Sequence, residues 1–189
     1  MTKCGGKIMP GYVIHIAVAK KYIRKHKKEI NNERKFIEGA IAPDLIVILN
    51  ENESKSNTHY GKWGNYNMEI NLCKFLGDHK VDINNDYWKG YFLHLLTDYE
   101  FYLKYFKEET EELIKNKDKY YYDYDCLNKY LMEKFDIDKY EYERIANCIS
   151  LKDDKPKYLK KEKIISFIEN LSDIKLEEII EKVKKGKYN

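Results

Sequence analysis

Most features that announce a function early are missing from this chain of 189 residues. No apolar run approaches the ~20 residues of a membrane span. The first ten residues, Met1-Thr-Lys-Cys-Gly-Gly-Lys-Ile-Met-Pro10, hold no apolar stretch of signal-peptide length, so the expected location is the cytoplasm. The cysteines Cys4, Cys73, Cys126 and Cys148 are scattered, with no Cys-x-x-Cys pair. That spacing offers no zinc-ribbon or dithiol redox motif, and the four read as reduced packing thiols. Charge of one sign is not in excess: 35 basic against 32 acidic side chains leave a net +3. A dedicated nucleic-acid surface, which needs a clustered basic excess, is not expected. Strict alternation of apolar and polar residues is absent over any useful length, and helical spacing recurs instead.

What is present is a series of amphipathic segments. Tyr12, His15, Ile16, Ala19 and Ile23 form one stripe of a helix running from about Tyr12 to Lys28, whose outer face is basic. Glu33 to about Ile41 predicts a short helix, ended by Ala42-Pro43-Asp44 because proline disfavours a helical residue before it. Residues 45–49 fit either helix or buried loop, and Asn65 to Leu76 predicts a further helix closed by Gly77. A long helix begins at Asn84 or Asn85 and runs to Phe106 or beyond. Asp123 or Asp125 caps another, and Tyr140 to Ile149 and Lys161 to Lys184 supply two or three more. The expectation is an all-α protein, one domain over 1–189. Residues 1–107 form a metal-binding helical core, and 108–189 add C-terminal helices packed on it.

The long central helix, Gly90-Tyr-Phe-Leu-His94-Leu-Leu-Thr-Asp98-Tyr-Glu-Phe-Tyr102, is apolar and aromatic except for one imidazole and one carboxylate. Four residues apart, His94 and Asp98 share a helix face. A buried carboxylate must be paired, hydrogen-bonded or bound to a cation, because leaving it alone costs several kcal/mol. Other stretches offer matching partners in His15, Asp44 and His59. Three imidazoles and two carboxylates suit one divalent ion with a position left for water, or two adjacent ions with a bridging carboxylate. Zinc is the expected metal, another divalent transition metal being compatible with the same donors. His79 sits beside Asp78 in a polar turn, away from this set.

The same residues carry a family resemblance. Gly11-Tyr12-Val-Ile-His15-Ile-Ala-Val-Ala19, Phe36-Ile-Glu-Gly39-Ala-Ile-Ala-Pro43-Asp44, Thr58-His59-Tyr60 and the Gly90–Asp98 helix occur in that order. Together they resemble the zinc-dependent phospholipase C family, whose all-helical fold is shared with single-strand-specific nucleases. The resemblance covers roughly the first 105 residues. It implies Asp44, His59, His94 and Asp98 around one zinc, with His15 and a bridging Asp98 on another, and makes Asp44 a candidate general base. Secreted members also carry a second pair of histidines beyond the central helix, whereas no histidine follows Asp98 here. Asp123, Asp125 and Asn128 are the most concentrated polar set that could substitute as extra ligands. Thr58 is a candidate for orienting a ligand from behind.

The function these readings imply is a metal-dependent hydrolase of phosphoesters, a phospholipase C-like phosphodiesterase using metal-activated water. Its expected substrate is a small phosphoester or a phospholipid headgroup. The alternative is a non-catalytic helical scaffold or binding protein stabilised by its metal.

Overall fold

The computed structural model describes residues 11–50, 52–63, 68–79, 85–107 and 115–188. Its helices, in chain order, are α1 (Tyr12–Lys25), α2 (Glu33–Leu49), α3 (Lys55–Thr58), α4 (Leu72–His79), α5 (Asp86–Glu100), α6 (Lys117–Phe135), α7 (Glu143–Ala146), α8 (Lys161–Leu171) and α9 (Leu176–Lys184). A π-helical turn, Phe101–Tyr105, extends α5, and a 3-10 turn, Lys139–Tyr142, precedes α7. Among the described residues the sheet content is one antiparallel pair, β1 (Gly61–Trp63) with β2 (Met68–Ile70), Gly61 opposite Ile70. The fold is all-α.

Each long helix forms where its sequence favours one. Asn32 opens α2 by accepting from the Lys35 N–H, and Asn85 opens α5 by accepting from Tyr87 N and Trp88 N. Such caps satisfy donors that a helix start leaves orphaned. From Val13 to Ala19 every residue of α1 is buried, so it lies inside the protein rather than on it. One continuous apolar core links Val13 of α1 to Val183 of α9, joining the two halves of the chain.

Among the described elements the most extensive pairing is between α2 and α5, and two glycines permit it. A Cβ at Gly39 would stand 1.9 Å from the Tyr87 carbonyl oxygen, and one at Gly90 1.9 Å from that of Phe36. Each glycine admits the other helix's backbone where any side chain would collide with it. The approach brings Asp44 of α2 up to the face of α5 that carries His94 and Asp98.

Several sequence expectations change. The second helix does not stop before Pro43; it continues to Leu49, because Phe36, Gly39 and residues 40–45 are all buried. Tertiary burial outweighs the local bias of the residue before proline. Part of the helix expected over 65–76 is strand: β2 ends at Ile70 and α4 starts at Leu72. Asp123 and Asp125 lie inside α6, which begins at Lys117, so neither is its cap. Cys73 and Cys126 are free thiols as expected, but Cys148 is disulfide-bonded, and Cys4 lies outside the described residues.

The basic tail of α1 is engaged in fastening the chain's second half. Lys21 pairs with Glu169 at 2.9 Å, Arg24 with Asp136 at 3.3 Å, and Lys25 with both Glu169 and Asp173. Surface pairs of this kind are worth up to about 1 kcal/mol each. No described helix is long and apolar enough to cross a membrane.

Candidate metal centre

Five side chains from four separate stretches converge in the core. His15 comes from α1, Asp44 from α2, His59 from the turn that follows α3, and His94 and Asp98 from α5. His15, His59, His94 and Asp98 are at most 1% exposed, and Asp44 is 7% exposed.

Their nitrogen and oxygen atoms face one another at short range. His59 Nε2 lies 3.2 Å from His94 Nε2, 3.3 Å from Asp44 Oδ1 and 3.8 Å from Asp98 Oδ2. His94 Nε2 lies 3.7 Å from Asp98 Oδ2, and His15 Nε2 3.3 Å from Asp98 Oδ1. Donors held at zinc bond length on a tetrahedron stand about 3.3 Å from one another. Two overlapping triads could hold an ion, His15–Asp44–His94 and His59–His94–Asp98. They share His94, which suits either one ion or two.

The ring orientations follow from what lies behind them. His94 Nδ1 is 2.8 Å from the Ala40 carbonyl oxygen. A carbonyl only accepts, so Nδ1 carries the proton and Nε2 presents its lone pair inward. His59 Nδ1 is 2.8 Å from Thr58 Oγ1, whose hydroxyl points at the Ser54 carbonyl oxygen 3.5 Å away. Thr58 therefore accepts from His59 Nδ1–H, the orienting arrangement found behind metal-bound imidazoles. Thr58 is held in turn, because Tyr91 donates to its carbonyl oxygen at 2.6 Å. The His15 ring stacks on that of His94, centroids 3.8 Å apart and planes within 9°.

With both Nδ1 protons turned outward, two lone pairs and two carboxylates meet in a buried space. Neither nitrogen of His15 and neither oxygen of Asp98 makes a hydrogen bond with protein. Such a set requires positive charge at its centre. A proton on one imidazole can serve a single neighbour, whereas a divalent cation serves all five.

The titration behaviour is consistent with a site primed in this way. Burial pushes the Asp44 carboxyl up, but the Lys55 ammonium, with smaller contributions from His59 and His94, overcomes it and holds the group well below the usual carboxylate range. Burial, and then the charge of His15, keep His94 well below the ordinary histidine value, which favours its neutral, ligating form.

Sequence reasoning missed the groups around this cluster. Lys55 Nζ stands 3.7 Å from Asp44 Oδ1. Tyr12 lies close enough to Asp44, and Tyr121 close enough to both carboxylates, for their charges to act on the phenols. Tyr102 and Tyr124 lie close enough to Asp98 for its charge to act on their phenols. In a chain with eighteen tyrosines, none of these four stands out by residue type.

Asp123, Asp125 and Asn128 are not part of the cluster, and this corrects their reading as extra ligands. Asp123 accepts from the backbone N–H groups of Lys157 at 2.9 Å and Leu159 at 2.7 Å, and also from that of Tyr158. Asn128 donates to the Ser150 carbonyl oxygen at 2.9 Å, and Asp125 hydrogen-bonds to the same residue. The three pin the segment 150–159 onto α6. Asp123→Ala leaves three backbone donors, of which that of Leu159 is buried, without their acceptor, so stability falls by about 2 kcal/mol. For a chain of this size that is a midpoint lowered by roughly 4–8 °C, measured by thermal melts, with metal content unchanged. His79, at the end of α4, packs on Trp88 with ring centroids 4.1 Å apart, outside the cluster.

Compared with family models, with curated proteins and with solved structures, the chain finds no match in any of the three.

Proposed function

We propose that this protein is a divalent-metal-dependent hydrolase of phosphoesters, with His15, Asp44, His59, His94 and Asp98 as the residues that hold the metal. The observation that carries the reading is the convergence of three imidazoles and two carboxylates at ligand spacing around a buried space in which His15 and Asp98 make no hydrogen bond with protein. The donor set is that of zinc sites with nitrogen and oxygen ligands. A divalent cation bound there supplies Lewis acidity and makes water nucleophilic at neutral pH.

The chain's own residues have distinct roles in this proposal. Ala40 and Thr58 fix the imidazole tautomers of His94 and His59 from behind. Asp44, the least buried of the five, orients the attacking water by accepting a hydrogen bond from it, while Lys55 beside it keeps the carboxyl ionised. Surrounding apolar side chains exclude bulk water. Phospholipase C-like phosphodiester cleavage is the preferred reaction, in keeping with the four sequence motifs.

A second reading is favoured by one specific observation, the near-complete burial of His15, His59, His94 and Asp98. A closed site of this kind also suits a cation whose only task is to hold helices together. The deciding experiment is metal analysis of protein purified without a histidine tag, followed by a panel of phosphodiesters and phosphomonoesters. For a hydrolase, chelation abolishes turnover and added zinc restores it while helicity persists. Bound metal, no turnover on any ester, and unfolding on chelation would establish the scaffold instead.

A further inference from the structure

His59 is the one ligand of the five that no long helix carries. It follows the single turn of α3 and precedes β1, where no regular backbone fixes the direction of a side chain. Yet its ring is fully buried, and its Nε2 stands 3.2 Å from that of His94 and 3.3 Å from Asp44 Oδ1. Something outside the local backbone must aim it.

The residues on either side of His59 are both held. Thr58 accepts at its carbonyl oxygen from the buried Tyr91 hydroxyl, 2.6 Å away. On the far side, Tyr60 has a φ of 52°, a left-handed backbone that an aromatic residue adopts only under constraint. Its carbonyl oxygen accepts from Asn71 N–H at 2.8 Å, and its hydroxyl bonds to His79 Nε2 at the end of α4. The two tyrosines share one support. Phe75, fully buried, stacks on Tyr91 with centroids 5.2 Å apart and meets Tyr60 edge-on at the same distance. Backbone strain of this kind persists where the surroundings over-determine a conformation that a site needs.

Tyr91 lies three residues before His94 on α5, so the two side chains leave the same side of that helix. We infer that Tyr91 is a positioning residue for the metal centre: by gripping the Thr58 carbonyl, it aims the His59 imidazole at the ligands that α5 itself supplies. The inference rests on the reading of the cluster as a cation site. One helix then sets three of the five ligands, His94 and Asp98 directly and His59 through a tyrosine. Burial pushes the Tyr91 phenol above its ordinary value, so it stays protonated and a donor. Pre-set ligand directions spare the cation the cost of ordering a free turn, and outer partners that fix them raise metal affinity.

The test is the zinc affinity of the full chain, measured by competition with a chelator, in wild type, Tyr91→Phe and Tyr22→Phe. Tyr91→Phe keeps the ring against Phe75 and removes only the hydroxyl. Tyr22→Phe is the control, on a buried ring of α1 two turns beyond His15. Its hydroxyl donates to Glu29 Oε2 at 3.0 Å and accepts from Leu176 N–H at 3.3 Å. Both variants are expected to melt lower, because each leaves a backbone partner unpaired. Only Tyr91→Phe is expected to bind zinc more weakly, by about threefold to tenfold, the equivalent of one neutral hydrogen bond. Cobalt(II), which the same donor types accept, should report the change directly. Its visible bands follow ligand geometry, and they shift in Tyr91→Phe alone. Equal zinc affinity and unshifted bands in Tyr91→Phe overturn the assignment, as does equal weakening in Tyr22→Phe. A wild type that takes up neither ion removes the cation site and this inference with it, a failure read before any variant is made.

Discussion

Gly90→Ala is expected to destabilise this protein severely, although it adds only one methyl group. The new Cβ would stand 1.9 Å from the Phe36 carbonyl oxygen and 2.9 Å from the Ala40 backbone nitrogen. These are backbone atoms of a buried helix, so no side chain can swing aside and the helices must part. Overpacking costs about 1–3 kcal/mol when side chains can adjust, and more when they cannot. We expect at least about 3 kcal/mol, a midpoint lowered by roughly 6–12 °C. Gly39→Ala, whose Cβ meets the Tyr87 carbonyl oxygen from the other side, should behave alike. Separation of α2 from α5 also draws the Ala40 carbonyl away from His94 and Asp44 away from the cluster. Zinc content should therefore fall together with stability. A Gly90→Ala protein melting within 2 °C or so of wild type would contradict the contact.

The second large effect is expected from His94→Ala. This ring belongs to both ligand triads, stacks on His15, and is held by Ala40. Loss of a residue that merely orients a ligand typically weakens metal binding by 10–100-fold, so removal of a shared ligand should exceed about 100-fold. Protein purified as the variant should carry little metal, and any phosphoester turnover should disappear with it. Asp98→Ala tests the same centre from one turn further along. Undiminished metal content in both variants would end the assignment of this pair as ligands. Because the two substitutions remove side chains and leave the helix backbone intact, circular dichroism should show helicity retained, separating loss of the site from loss of the fold.

Part of the cluster could be read in the sequence because His15, His94 and Asp98 interrupt otherwise apolar helical stripes, whereas Asp44 and His59 were singled out by the motif resemblance. His15 among Val13 to Ala19, and His94 with Asp98 among leucines, are polar atoms placed where only a partner makes burial tolerable. The ring of donors outside that set could not be read in the same way. Tyr121 is one of a run of tyrosines at 120, 121, 122 and 124, and only the packing of α6 on α1 distinguishes them. Asp123 looked like a candidate ligand for the opposite reason. The N–H groups that satisfy it lie 34–36 residues further along the chain, and spacing rules do not reach that far. Pro43 misled because it is a strong local signal in a segment whose conformation is decided by burial. The glycines were visible as motif residues, and their task became clear only when the opposing carbonyls came into view.

A π-helical turn, Phe101–Tyr105, follows α5. Phe106 N–H reaches back five residues to the Phe101 carbonyl oxygen at 2.8 Å, so this stretch holds one residue more than an α-helical turn would need. Successive residues of an α-helix are offset by about 100°. Deleting a single residue between Phe101 and Tyr105 would let the turn rewind, swinging whatever follows by about that angle while Asp98 stayed in place. Aromatic neighbours such as Phe106, seated on Phe101, would then be re-aimed away from the core. The surplus residue thus acts as an angular shim, setting the bearing at which the chain departs from the helix that carries His94 and Asp98.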